Sequence, residues 1–209
     1  KLHAQTLRQQ AELSGAVRDR FLRVIEQQAD RMASLVDDVL ESSRLLARKH
    51  SMELIAVDLA AFLDGYLRGA RANAEVRGVR LVADVRLSSR VLGNEEALRR
   101  IFDNLIDNAV RFSSRGGEVR FRAWEDTGRS CLQVEDDGVG IPKQELAYVF
   151  ERFYQAGGAD DPHRRGTGLG LSIVAGLVLE MGGTVKAFSH ESPEGRSGSR
   201  FLVELPSLP

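Results

Sequence analysis

The first quarter of the chain has a long helical pattern of apolar and polar positions. Residues 17–47 contain no glycine or proline, and their apolar residues recur every three or four positions, which places them on one helix face. Ser14 and Gly15 break the pattern upstream, so residues 1–50 are predicted to form a helical hairpin. Such a hairpin buries its apolar face most economically in a four-helix bundle made by two chains; packing on its own C-terminal domain is the alternative. The apolar face comprises Phe21, Val24, Ile25, Met32, Leu35, Val36, Val39 and Leu40.

The remaining residues, 51–209, alternate between helical and strand patterns after a polar linker at 48–51. Asp58 and Asn94 are predicted helix N-caps, because their side chains can accept hydrogen bonds from the first turn. Their helices run to about Val76 and Phe112, a short helix is expected near 143–150, and another spans 169–181. Strands are predicted at 79–85, 119–124, 130–135, 184–189 and 199–205, the second and third of them forming a hairpin around residues 126–128. This arrangement indicates an α+β fold, a two-layer α/β sandwich preceded by the helical hairpin.

Composition excludes several classes of protein. The formal net charge of −1 gives no reason to expect nucleic acid as a partner. The single cysteine, Cys131, excludes an internal disulfide and lies in an apolar strand pattern, which predicts a small buried side chain. No apolar run approaches the ~20 residues of a membrane span, and no signal peptide precedes the helical opening. We expect a cytoplasmic piece of a longer protein whose absent segments could anchor it to a membrane.

Two asparagines stand out in the segment N-L-I-D-N-A-V-R-F at 104–112. Asn104 and Asn108 are one helical turn apart and share a face. A carboxamide oxygen is a hard, neutral ligand suited to Mg²⁺, which commonly retains waters and substrate phosphate oxygens. Arg111 follows on a neighbouring face and could reach a phosphate. By itself this pattern would also fit two surface asparagines.

The segment D-D-G-V-G-I-P at 136–142 follows a predicted strand directly. A buried carboxylate at Asp136 could accept a hydrogen bond from an adenine amino group. Gly138 and Gly140 are expected to let the backbone approach a ring and to adopt positive φ angles. A calcium loop is the competing interpretation, although the EF-hand ligand spacing is absent. A plain acidic turn is the other alternative.

The segment G-T-G-L-G-L-S-I at 166–173 enters a helix, where backbone N–H groups and the helix dipole favour phosphate. It is neither a Walker A loop nor a dinucleotide-binding glycine motif. A fourth segment, F-E-R-F-Y at 150–154, precedes a polar loop with two glycines, and Arg164 and Arg165 near the end of that loop could contact a γ-phosphate or simply be solvated.

These four segments, in this order, resemble the nucleotide-binding half of the sensor histidine kinases in the GHKL ATPase superfamily. The resemblance implies a Bergerat-type ATP-binding domain at 51–209, a dimerisation hairpin at 1–50, and ATP and Mg²⁺ as cofactors. Asp136 would read the adenine, and Asn108 would be the Mg²⁺ ligand. The family usually has Lys and Tyr where Arg111 and Phe112 stand here. The implied ATP-binding positions are Asn104, Asn108, Arg111, Phe112, Asp136, Gly138, Gly140, Ile141, Tyr154, Arg164, Arg165, Gly166, Thr167, Gly168, Leu169, Gly170 and Leu171.

In that family, the γ-phosphoryl passes from Mg-ATP to a histidine and then to an aspartate of a response-regulator receiver domain. None of the four histidines here lies in the H-E-x-x-T/N-P context of the phosphoacceptor, which is expected upstream of Lys1. The resemblance therefore predicts a homodimer that binds Mg-ATP but does not phosphorylate itself as this fragment. Two alternatives stay open: another GHKL ATPase, or a degenerate nucleotide-binding dimeric scaffold.

Overall fold

The computed structural model describes residues 18, 19, 21–25, 29, 32, 36 and 40, and then 52–156, 167–191 and 197–208. The chain divides into two compact units, Lys1–Ser43 and Arg44–Pro209. All described residues of the first unit are helical, and Met32, Val36 and Leu40 are more than half exposed in the single chain. The rest of the predicted hairpin lies outside the described residues. Within the described residues, no helix combines the length and the apolarity needed to cross a bilayer.

The described residues of the second unit form seven strands and three helices, numbered here in chain order. The elements are β1 (Ile55–Asp58), α1 (Leu59–Val76), β2 (Arg80–Arg86), β3 (Arg90–Gly93), α2 (Glu95–Phe112), β4 (Glu118–Asp126), β5 (Arg129–Asp136), a 3₁₀ turn (Lys143–Glu145), α3 (Gly170–Glu180), β6 (Thr184–Glu191) and β7 (Ser197–Leu208). The strands form one mixed sheet in the order β1-β3-β7-β5-β4-β2, with β6 also paired to β7. The β2–β4 pair is parallel and the other pairs are antiparallel.

Both predicted helix caps are confirmed. The Asp58 side chain accepts a hydrogen bond from the Ala61 N–H at 3.0 Å, and α1 follows it. The Asn94 side chain accepts one from the Ala97 N–H at 3.1 Å. These local bonds satisfy N–H groups that have no partner inside the helix, so the caps set where α1 and α2 begin.

The helices bury their apolar faces against the sheet in one continuous core. Phe102 of α2 meets Phe121 of β4 edge to face, with ring centroids 5.5 Å apart. Ile173 of α3 and Leu205 of β7 are also fully buried in this core. The two-layer α/β sandwich is confirmed, and it fixes α2 and α3 over the strands. Cys131 is buried as predicted, and burial raises the pKa of its thiol.

Two details differ from the sequence-based expectations, and a third agrees with them. The helix expected near 143–150 is only the 3₁₀ turn Lys143–Glu145 followed by hydrogen-bonded turns. Strands β1 and β3 were not predicted, because four residues are too few to show a clear alternation of buried and exposed positions. The predicted hairpin turn between β4 and β5 is present, with Thr127 and Gly128 both at positive φ.

Candidate functional site

A buried carboxylate lies at the end of β5. Asp136 is only 2 % exposed. Its Oδ1 accepts hydrogen bonds from the Gly138 N–H at 2.9 Å and the Ser199 N–H at 3.3 Å, and its Oδ2 accepts one from the Ser199 hydroxyl. Donors that converge on both oxygens of a carboxylate hold its plane in one orientation. The structure therefore presents Asp136 as a fixed acceptor.

The loop after Asp136 packs without room for side chains. A Cβ at Gly138 would lie 2.6 Å from the Phe112 carbonyl oxygen, at the end of α2. Gly140 has a φ of +71°, a conformation that L-residues rarely adopt. The expectation of positive φ is thus confirmed at Gly140 and wrong at Gly138, where close packing requires glycine. Ile141 is tied to β6, because its N–H donates to Ser189 Oγ at 3.0 Å.

The polar face of α2 carries the second group of predicted residues. Asn104 and Asn108 are both partly buried on adjacent turns. Asn104 donates through Nδ2 to the Arg100 carbonyl at 2.8 Å, whereas Asn108 Oδ1 accepts a hydrogen bond from Arg111. The Arg111 guanidinium also lies over the Phe112 ring, 5.1 Å from its centroid. The amide oxygen of Asn108 is thus occupied by the guanidinium, which a metal ion at this oxygen would have to displace.

The described residues of the second glycine segment, 167–173, pack against α2. A Cβ at Gly170 would collide with Asn104 Oδ1, so this glycine permits the start of α3 to touch the asparagine face. Leu169 is fully buried and anchors the turn, and its N–H donates to Thr167 Oγ1 at 3.0 Å. Leu171 packs at the edge of the core. The predicted residues Arg164, Arg165 and Gly166 lie outside the described residues.

A backbone contact joins the F-E-R-F-Y segment to this turn. The Phe153 N–H donates to the Gly168 carbonyl at 2.8 Å, and both residues have positive φ, +63° and +72°. A Cβ at Gly168 would lie 2.6 Å from the Phe153 carbonyl carbon. Tyr154, predicted to contact the nucleotide, stacks obliquely on Tyr148, and burial together with a hydrogen bond to Glu145 raises its pKa. Its described contacts do not join it to Asp136 or Asn108.

These contacts bring two separate segments, the loop after Asp136 and the second glycine segment, against α2. Gly138 abuts the end of α2, Gly170 abuts Asn104 in its middle, and Asp136 lies beside the first of these contacts. Sequence reasoning missed Ser199 and Ser189, which hold the loop from β7 and β6. No local signal identifies them, since Ser199 is 63 positions from its partner Asp136.

The described residues contain no cluster of three or more His, Cys, Asp or Glu side chains able to hold a metal ion. Asn104 and Asn108 offer neutral amide oxygens to a divalent cation, and a bound ligand would add its own oxygens. That donor set suits Mg²⁺, which is commonly held by one or two protein oxygens together with substrate phosphates and water.

Comparison with known proteins agrees with this geometry. The family described as histidine kinase-, DNA gyrase B- and HSP90-like ATPase matches residues 93–209. The chain is 31 % identical over 189 residues to the circadian input-output histidine kinase CikA of Synechococcus elongatus, covering 89 % of this chain and 24 % of CikA. It is 34 % identical over 160 residues to the phosphate regulon sensor protein PhoR of Pseudomonas aeruginosa, covering 77 % of this chain and 36 % of PhoR.

Solved structures give the same result. A mycobacterial sensor histidine kinase, MprB, superposes with a TM-score of 0.66 at 32 % identity, covering 74 % of this chain and 99 % of that one. Full-length ShkA in complex with AMPPNP superposes with a TM-score of 0.74 at 30 % identity, covering 94 % of this chain and 40 % of ShkA. The chain belongs to the histidine kinase-, DNA gyrase B- and HSP90-like ATPase family, on its sensor histidine kinase branch. It spans between 24 % and 48 % of the length of CikA, PhoR and SenX3, a third relative.

Proposed function

We propose that this chain is the catalytic portion of a sensor histidine kinase. It binds Mg-ATP and, in the intact protein, supplies the γ-phosphoryl group to a histidine on the dimerisation helix and from there to an aspartate of a response regulator. The observation that carries the proposal is the buried Asp136 carboxylate, fixed by Ser199 and Gly138 beside the asparagine face of α2.

Asp136 is the proposed adenine reader. A fixed carboxylate accepts a hydrogen bond from the exocyclic amino group of adenine. Guanine has a carbonyl oxygen at the corresponding position, and a carboxylate repels it. Gly138 lets the loop pack directly against the end of α2, which fixes the backbone beside this carboxylate.

The phosphates and their metal are proposed to lie along α2 toward the start of α3. Asn108 would provide an amide oxygen to Mg²⁺, with Asn104 lining the same region and Arg111 turning from Asn108 to a phosphate. When bound, Mg²⁺ would neutralise charge on the phosphate oxygens. The N-terminal turn of α3, entered through Gly168 and Gly170, favours phosphate through its N–H groups and helix dipole.

The proposed assembly is a homodimer through the first unit. Met32, Val36 and Leu40 lie four residues apart on helical backbone, which aligns them on one face, and they are 69 %, 58 % and 51 % exposed in the single chain. A second copy would remove this apolar stripe from water in a four-helix bundle.

The test is calorimetric titration with a non-hydrolysable ATP analogue, with and without Mg²⁺. We expect micromolar binding that Asp136→Asn weakens by roughly one to two orders of magnitude, since a hydrogen bond to a charged group contributes about 1.5–3 kcal/mol. Asn108→Ala should abolish the dependence on Mg²⁺. Asn73→Ala, which removes an exposed helical asparagine from α1, is the matched control and should bind as the wild type does.

Absence of binding by the folded wild-type chain would refute the proposed function and favour a nucleotide-free scaffold. Binding without any preference for adenine over guanine nucleotide would refute the role of Asp136. A second measurement distinguishes a histidine kinase from other GHKL ATPases. Transfer of phosphate to a receiver domain by the intact protein is expected only of the kinase.

A further inference from the structure

Arg120 of β4 contacts the loop that follows Asp136, at the point where the pairing between β4 and β5 ends. The last paired residues are Val119 and Asp136, so Asp137 has no cross-strand partner in this ladder. Arg120 lies one position earlier in the register, directly opposite Glu135. Its side chain therefore lies on the same face as Asp137, the first residue of the loop, and diagonal to it.

Arg120 holds Asp137 by a bidentate pair of hydrogen bonds, called the fork below. Arg120 Nη2 donates to Asp137 Oδ1 at 2.6 Å, and Nη1 donates to Asp137 Oδ2 at 3.3 Å. Nη2 also donates to Glu135 Oε1 at 3.0 Å. Both members of the pair are largely withdrawn from water, with side-chain exposures of 26 % for Arg120 and 17 % for Asp137. Charge-assisted, bidentate pairs of this kind are stronger and more directional than single neutral hydrogen bonds.

The carboxylates around Arg120 do not depend on it equally. Glu118 is also paired with Arg80, and Glu135 accepts a hydrogen bond from Gln133 at 2.9 Å. In the described part of the chain, both hydrogen bonds that the Asp137 side chain accepts come from Arg120. Loss of the guanidinium would leave Asp137 beside Glu135 with no compensating charge, and mutual repulsion would move it.

The next residue of the loop tolerates little movement. Gly138 packs so closely against the Phe112 carbonyl that even a Cβ would not fit, and its N–H holds Asp136 Oδ1 at 2.9 Å. A shift of Asp137 would move the Gly138 N–H and would thereby change the orientation of the Asp136 carboxylate.

We propose that Arg120 is a positioning residue for adenine recognition: its fork to Asp137 extends the β4–β5 pairing by one residue and fixes the loop that holds Asp136. This inference rests on the proposed function, because it assigns Arg120 to the same nucleotide site. It acts through Asp137 and Gly138 and does not require contact with the nucleotide.

The experiment compares Arg120→Met with Arg122→Met. Arg122 lies two positions further on the same face of β4, but its side chain is exposed, so the pair of variants separates the fork from the loss of a surface charge. Affinities for ADP, for a non-hydrolysable ATP analogue and for its guanine counterpart are measured well below the unfolding temperature. We expect Arg120→Met to bind both adenine nucleotides roughly 5- to 20-fold more weakly, in line with a charge-assisted bond only partly transmitted to the ligand.

Two further readouts separate positioning from a general loss of stability. The ratio of ATP-analogue to ADP affinity should stay unchanged, and the preference for adenine over guanine should fall by the same factor as the adenine affinities. Arg120→Lys, which keeps the charge without the planar fork, should fall between wild type and Arg120→Met. The double variant Arg120→Met/Asp137→Asn should lose less binding free energy than the sum of the losses in the two single variants, as expected for residues in contact.

The outcomes are distinguishable. If the wild type binds no nucleotide, the proposed function fails, and this inference fails with it. If the wild type binds and Arg120→Met binds as Arg122→Met does, only the positioning role is overturned. If Arg120→Met does not fold, Arg120→Lys and Asp137→Asn decide, and wild-type affinity and adenine preference in both would overturn the proposal.

Discussion

The hydroxyl of Ser199 offers a direct test of how the Asp136 carboxylate is held. It donates to Asp136 Oδ2 in an environment where Ser199 is 6 % and Asp136 is 2 % exposed. Ser199→Ala removes this donor while leaving the two backbone donors on Oδ1 in place. The perturbation is therefore confined to one oxygen of one buried group.

The expected magnitude follows from the charge and the burial. A hydrogen bond to a charged group contributes about 1.5–3 kcal/mol, and the remaining donors on Oδ1 place this bond at the lower end of that range. We expect the free energy of unfolding to fall by about 2 kcal/mol. If about 1.4 kcal/mol of this is also lost from the complex, affinity for an ATP analogue falls roughly tenfold, because the carboxylate no longer holds the orientation that adenine requires.

Both quantities can be measured on the same samples. The only tryptophan, Trp124, lies on β4, so its fluorescence during urea unfolding reports on the second unit alone. Calorimetric titration gives the affinity. Ser199→Thr retains a hydroxyl and should restore both values. Ser130→Ala removes another buried serine, one that bonds only to neutral hydroxyls at the other end of β5, so it should lower stability by about 1 kcal/mol and leave affinity unchanged.

The reasoning would be refuted by unchanged or tighter nucleotide binding in a stably folded Ser199→Ala protein. That result would mean that the adenine amino group replaces the hydroxyl as a donor to Oδ2, and that Ser199 does not orient the carboxylate. Equal losses of affinity in Ser199→Ala and Ser130→Ala would point instead to a general loosening of the sheet.

Three other predictions follow from the geometry. Gly168→Ala should cost more stability and more nucleotide affinity than Gly182→Ala: both glycines have φ near +70°, but only Gly168 would place a Cβ against backbone, that of Phe153. Partial burial of its carboxyl beside Tyr66 raises the pKa of Asp103, a residue exposed overall, so its small contribution to stability is complete below the unfolded value of about 3.9 and is lost as pH rises through the folded pKa. Asp103→Asn should therefore be more stable than wild type toward urea at pH 7, with the difference shrinking in acid. Val36→Glu should convert the proposed dimer to monomer in analytical ultracentrifugation.

Each of these has a clear contrary result. Equal losses in the two glycine variants would show that conformational strain, and not the contact with the Phe153 backbone, sets the cost at Gly168. A stability difference for Asp103→Asn that grows in acid would reverse the sign argued from burial. A Val36→Glu protein that remains dimeric would place the interface elsewhere, and Arg18→Glu, at an exposed position outside the predicted stripe, is the matched control that should leave the dimer intact.

Much of this protein could be predicted from sequence because the rules involved are local. The caps at Asp58 and Asn94 depend on side chains and N–H groups three positions apart, and the hairpin turn depends on Thr127 and Gly128 alone. The asparagine pair on α2 follows from helical spacing. The ordered motifs then suffice to indicate the family, since their residues are set by the chemistry of the nucleotide.

Only the tertiary structure decided what surrounds the Asp136 carboxylate, the proposed adenine reader. Ser199 reaches Asp136 across 63 positions, and Arg120 reaches Asp137 across 17, through sheet pairings that no local pattern specifies. The same holds for Gly138, whose need for glycine comes from contact with α2 and not from its own φ angle. Side chains far apart in the chain meet according to strand order and register, and these emerge from packing of the whole sheet against its helices.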